Sequence, residues 1–64
     1  MNEANKRIRA IFIKKLEDNG LKMKFVAEKV GIEYTTLSKW KNGVFNFAED
    51  KLKKIAYFLE QLED

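Results

Sequence analysis

The 64-residue sequence contains no cysteine, no histidine and no proline, and only three glycines. Without cysteine there is no disulfide framework, no thiolate zinc site and no thiol nucleophile. Without histidine the commonest general base and metal ligand is gone. Catalysis would fall to carboxylates gathered in a pocket, and a domain this small has little room for one. No paired acids stand out, so the chain is read as non-enzymatic, with no cofactor, no metal and no evident small-molecule ligand. Long apolar runs are missing too. The longest strongly apolar stretch, Ala10 to Ile13, is four residues, where a bilayer span needs about 20. No signal-peptide pattern precedes the first helical pattern. The expectation is a soluble, cytoplasmic protein with no membrane partner.

What is present is a globular balance of 45% hydrophobic and 36% charged residues, too apolar for a disordered chain. The whole chain, 1–64, is read as one domain. At this length only about 60% of the extended chain's surface is buried on folding, so stability is marginal and a second copy could supply more burial. The net charge of +3 is unevenly placed. Residues 1–43 hold ten Lys or Arg against five Asp or Glu, and residues 44–64 hold three against five. A basic half suits a polyanionic partner, although mild basicity also serves solubility alone.

Apolar spacing divides the chain into four helical patterns. From about Asn5 to Asp18, Ile8, Ile11, Phe12 and Leu16 recur at helical intervals, with Lys6, Arg7, Arg9, Lys14 and Lys15 read as ordinary solvated surface. Asn19-Gly20 stops this helix, since glycine takes the left-handed cap conformation, and Leu21 returns to the core. A second helix is predicted from Lys22 or Met23 to Val30, and a third from about Tyr34 to Lys41, ended by Asn42-Gly43. Val44 to Phe47 forms an apolar connection whose two phenylalanines are expected to cover the bottom of the core. The last helix begins near Ala48, with Glu49 and Asp50 favourably placed at the positive end of the helix dipole, and carries Leu52, Ile55, Ala56, Leu59 and Leu62. No internal repeat or linker is found. The fold class is all-α, with short connections.

The stretch 22–43 carries the functional signal. Val26, Ala27, Val30, Ile32, Leu37 and Trp40 are the residues that two helices crossing at roughly 90 to 120° turn inward, with Gly31 in the tight turn between them. That is a helix-turn-helix. Trp40, at core spacing from Leu37, is assigned to packing rather than to base stacking. Tyr34, Thr35, Thr36, Ser38 and Lys39 remain outward. They can be the solvated face of a short helix, but Thr and Tyr give such a helix poor intrinsic stability, so a contact role is preferred.

The order and spacing of VAEKVGI, LSKWKNG, Asn46 and LKKIA, over roughly residues 8 to 59, resemble the phage repressor and Cro-like helix-turn-helix family, also called the XRE family. The resemblance implies a small four-helix, or incomplete five-helix, lambda-repressor-like domain. It implies that the helix of about 34–41 enters the major groove of double-stranded DNA. There threonine methyls meet thymine methyls, hydroxyls serve several base edges, and Lys39 donates to guanine O6 and N7. Relatives use the start of the second helix and the loop after the third for phosphate, which assigns Lys22, Met23, Lys24, Lys41 and Asn42 to the same interface. The chain departs from the family at several positions. Lys22-Met23 replaces a capping Thr or Ser followed by Gln, Phe25 stands at a polar position, Glu33 replaces a capping Ser, and Glu60 replaces the Gly before a fifth helix.

These readings lead to a sequence-specific DNA-binding transcriptional regulator, a repressor of phage, prophage or mobile-element type, acting as a homodimer on a near-palindromic operator. Tyr57, Phe58 and Leu62 crowd the last helix with more apolar surface than one face buries, and they are the expected dimer contact, with Phe58 foremost. The alternative is a protein–protein interaction module, antitoxin-like or anti-repressor, that keeps the fold without binding DNA; Phe25 and Glu33 support it.

Overall fold

A computed structural model describes residues 3–62. Among them lie four helices and no strand: α1 (Glu3–Asn19), α2 (Met23–Val30), α3 (Tyr34–Lys41) and α4 (Glu49–Gln61). The helices form where the apolar periodicity places them, and their ends are set by backbone chemistry. After α2, Gly31 adopts φ +81° and the Ile32 N–H reaches back to the Ala27 carbonyl at 3.1 Å. This is the left-handed cap that satisfies the last free carbonyls of a helix. The same backward bond closes α1 (Leu21 N–H to Leu16) and α3 (Val44 N–H to Lys39). Each buried or half-buried residue after a glycine is thereby delivered to the core at a fixed angle.

The core is one cluster contributed by all four helices, with Trp40, Phe12, Leu37, Ile55 and Val26 sealed from solvent. α1 and α4 pack together, α3 packs on α1 and α2, and α2 also meets α4, whereas the backbones of α3 and α4 do not come close. α1 and α2 are not backbone neighbours either, so the recognition-helix candidate and the last helix lie across from one another, each between α1 and α2. No described helix is long and apolar enough to cross a membrane.

Two expectations change. α1 buries Asn5, Phe12 and Leu16, with Arg9 part-buried on the same stripe, whereas Ile11, expected inward, is 42% exposed. At 3.6 residues per turn Ile11 lies about 100° from Phe12, so the stripe 5, 9, 12, 16 wins over 8, 11, 12, 16. Ile8 and Ile13 flank it as partly buried contacts. In the connection after α3, Phe47 is buried but Phe45 is exposed, resting edge-on against Phe47 with ring centroids 5.6 Å apart. Its carbonyl is held at the rim by Arg9, so only one phenylalanine closes the core.

Candidate nucleic-acid interface

α3 is eight residues long and has two faces. Leu37 and Trp40 point inward. On the far side Thr35, Lys39 and Asn42 are exposed and Ser38 is half-exposed, while Tyr34, Thr36 and Lys41 flank them. The helix therefore presents one strip of hydroxyl, ammonium and carboxamide groups, which are donors and acceptors suited to base edges and phosphates. Among the described residues no salt bridge engages Lys39, Lys41, Lys22 or Lys24; the ion pairs are the exposed Lys14–Asp18 and Lys53–Glu49 contacts.

α2 begins at Lys22, which is extended (φ −94°, ψ 143°) and gives no side-chain cap. The first N–H groups of α2 thus lack a side-chain partner, and a helix start in that condition favours an anion. Lys22 and Lys24 are exposed beside it. Met23, between them, is half-buried and packs against the core. Lys41 reaches the same region from α3, sharing a surface hollow with Met23, Leu21 and Glu17. Lys24 shares a second hollow with Phe25, Glu28 and Tyr34, so the start of α2 and the start of α3 border one surface.

Glu33, the residue preceding α3, makes no cap bond to the backbone. Its carboxylate instead accepts from the Thr36 hydroxyl at 3.3 Å. That bond commits the Thr36 hydrogen locally and leaves an oxygen lone pair for an incoming donor.

Two residues outside the expected site, Asn5 and Arg9, the second expected on the solvated surface, hold α3 in place. Asn5, only 4% exposed, accepts at Oδ1 from the Trp40 indole N–H (2.9 Å) and from the Phe47 backbone N–H (2.9 Å), and donates from Nδ2 to the Phe47 carbonyl (3.1 Å). Every conventional hydrogen-bonding role of that Phe47 peptide is met by one side chain. Arg9 donates from Nε to the Trp40 carbonyl (2.7 Å) and from Nη2 to the Phe45 carbonyl (3.1 Å) and Asn46 Oδ1 (3.0 Å). Its guanidinium also lies 5.2 Å from the Trp40 ring centroid, within cation–π range. Trp40 is further stacked on Phe47 (5.3 Å, 13°) and meets Phe12 edge-on (5.4 Å, 75°). Trp40 is thus the pivot joining α3, α1 and the 44–47 connection, and it is unavailable for stacking on a base. The signal for Asn5 and Arg9 was their place on the stripe 5, 9, 12, 16; a polar residue in register with two core residues asks for a buried partner.

On the α4 side, Tyr57 is 66% exposed. Phe58 and Leu62 are partly buried and pack against the core, so Tyr57, not Phe58, projects furthest.

A helix-turn-helix family model matches residues 12–60, which is most of the chain. No curated protein and no solved structure matches it. The matched region contains α2, the Gly31 turn and α3 with their inward residues, and the family is a DNA-binding, regulatory one. With this fold and this span matched, the chain belongs to the phage repressor and Cro-like (XRE) family of helix-turn-helix DNA-binding regulators.

Proposed function

We propose that this regulator reads a specific double-stranded operator, as a repressor of phage, prophage or mobile-element type, and that it binds as a homodimer. The observation that supports this most is the division of α3 into a buried half, Leu37 and Trp40, and an outward strip of Thr35, Ser38, Lys39 and Asn42. In the proposed complex the start of α3 enters the major groove. Tyr34, Thr35, Thr36, Ser38 and Lys39 face base edges, with Lys39 the main base reader. Lys22 and Lys24, with the uncapped start of α2, hold one phosphate segment, and Lys41 and Asn42 hold another. Met23 supports this edge by packing beneath the two lysines. Bound protein acts by occupancy, denying the site to polymerase. A two-fold dimer built through Tyr57, with Phe58 and Leu62 at its margin, requires a near-palindrome with half-sites about 34 Å apart.

A second reading keeps the fold and replaces DNA by a protein, in an antitoxin-like or anti-repressor role. Phe25 and Tyr34, 45% and 46% exposed, border one hollow together with Glu28, an apolar and partly acidic surface beside the expected DNA face. Fluorescence anisotropy separates the two. Titrating a random duplex at two salt concentrations should show affinity falling steeply as salt rises, because bound lysines release counterions. No binding at low salt would remove the DNA reading and leave the protein partner.

A further inference from the structure

Tyr57 stands at the middle of the outer face of α4, two-thirds exposed, with Lys53, Lys54, Glu60 and Gln61 exposed around it. At about 100° per residue, Lys53 and Glu60 fall on one side of Tyr57 and Lys54 and Gln61 on the other. Lys53 lies about 6 Å before Tyr57 along the axis and Glu60 about 4.5 Å after it. A two-fold axis passing beside Tyr57, perpendicular to the helix, reverses these heights without exchanging sides. Lys53 then meets the partner's Glu60, Lys54 meets the partner's Gln61, and the two Tyr57 rings meet at the axis.

We infer that this face is self-complementary, and that its occupant is a second copy of the chain whose α4 runs antiparallel, with Lys53 paired to Glu60 across the interface in both directions. The inference rests on the proposed homodimer and specifies its geometry. Charge selects the orientation. A parallel two-fold pairing exchanges the sides, so Lys53 meets the partner's Lys54, which is repulsive, and Glu60 meets the partner's Gln61, leaving Lys53 and Glu60 of both copies without an ionic partner. The antiparallel pairing turns the same four residues into two ion pairs. Lys53 is available for it, since its in-chain contact with Glu49 is 3.9 Å long and more than three-quarters exposed at both ends, a geometry of little energetic weight. Residues 53 to 61 form the C-terminal part of α4 up to its last residue, about two and a half turns, enough for a contact between two packed helices. The arrangement also leaves the reading helix free, because the α3 backbone does not run beside α4.

The test is a charge swap followed by sedimentation equilibrium of the full chain over a concentration series. Lys53→Glu and Glu60→Lys each replace two attractive pairs by two repulsive ones, and each should weaken dimerisation roughly tenfold. An equimolar mixture of the two variants should recover wild-type association as a heterodimer, because the Glu at 53 of one chain then faces the Lys at 60 of the other and the remaining native pair is intact. The double variant Lys53→Glu/Glu60→Lys should likewise recover as a homodimer. Both positions are exposed, so each variant keeps the core, which circular dichroism verifies. Unchanged association of both single variants, or no recovery in the mixture, would overturn the pairing and move the interface elsewhere, for example to the hollow where Ile11 meets Ala56 and Leu59. A wild-type chain that stays monomeric would overturn it as well. The DNA titration on the same samples keeps the two readings apart: a monomer with steep salt-dependent DNA binding ends the pairing alone, and a swappable dimer without DNA binding ends the DNA reading alone.

Discussion

Replacing Asn5 by leucine removes three hydrogen bonds from the least exposed polar side chain of the described structure while keeping its branched four-atom skeleton. The indole N–H of Trp40 and the backbone N–H and carbonyl of Phe47 lose their partner. Buried polar groups left unpaired cost about 1 to 3 kcal/mol each, so two donors and one acceptor come to roughly 3 to 9 kcal/mol if water does not enter. The leucine returns about 1.5 to 3 kcal/mol through burial. The net loss is about 3 kcal/mol, a large part of the roughly 3 to 10 kcal/mol that a chain of this size has in total. The protein carries its own probe, since Trp40 is the sole tryptophan and donates one of the affected bonds. Urea unfolding followed by Trp40 fluorescence should show the midpoint falling with an unchanged slope, and the Trp40 indole hydrogen should exchange much faster with solvent. Asn19→Ala serves as control, because the Asn19 bond to the Lys15 carbonyl is exposed, and it should cost under about 0.5 kcal/mol. An Asn5→Leu loss below about 1 kcal/mol, on the scale of a single solvated hydrogen bond, would refute the argument that this side chain pins Trp40 and Phe47.

Other consequences are equally measurable. Arg9→Met keeps the aliphatic stem but loses three hydrogen bonds and the contact with the Trp40 face; about 1 to 3 kcal/mol of stability should go, read by the same urea titration. Gly31→Ala places a Cβ in open space but in the left-handed conformation at φ +81°, so it should cost about 1 to 2 kcal/mol through backbone strain alone, visible as a lowered melting temperature. Lys39→Ala should weaken a selected operator by about 1 to 3 kcal/mol if the lysine reads a base. Equal losses on operator and random duplex, measured by anisotropy, would assign Lys39 to phosphate instead.

The helix order was legible because each of the first three elements is written twice, in its apolar spacing and in its stop signal, and the fourth in its apolar spacing. α3 shows this best: Leu37 and Trp40 gave its inward side, Asn42-Gly43 its end, and the structure places it at Tyr34–Lys41. α1 was legible as a helix but not in rotation. Ile11 is as apolar as Ile8, and nothing in hydrophobicity says that Asn5 and Arg9 take the core-facing stripe; Asn5 depends on partners at Trp40 and Phe47, 35 and 42 residues along the chain, and Arg9 on Trp40, Phe45 and Asn46. Likewise Phe58 and Tyr57 are neighbours of similar size, and the packing of α4 on α1 and α2 decides which one points out. Local pattern fixes periodicity, whereas the phase of a helix is settled by distant residues.

This dependence on distant residues bears directly on DNA reading. An eight-residue helix is not stable by itself in water, and α3 has just two buried side chains to orient it. Its angle to the surface is therefore set by what holds Trp40 and the chain after it. Asn5 holds the indole edge, Arg9 holds the Trp40 and Phe45 carbonyls and the Asn46 side chain, and Gly31 fixes the entry from α2. None of the three stands on the outward strip, yet each controls where Thr35, Lys39 and Asn42 arrive. Loosening such an anchor should lower affinity for the operator more than for random duplex, since base contacts require correct placement while phosphate contacts tolerate displacement. Arg9→Met is the sharpest case because its helices keep their core. If it lost operator and random binding to the same degree, the role assigned to the Arg9 clamp in aiming α3 would be wrong, and Arg9 would be left as one more surface cation lost from the phosphate field.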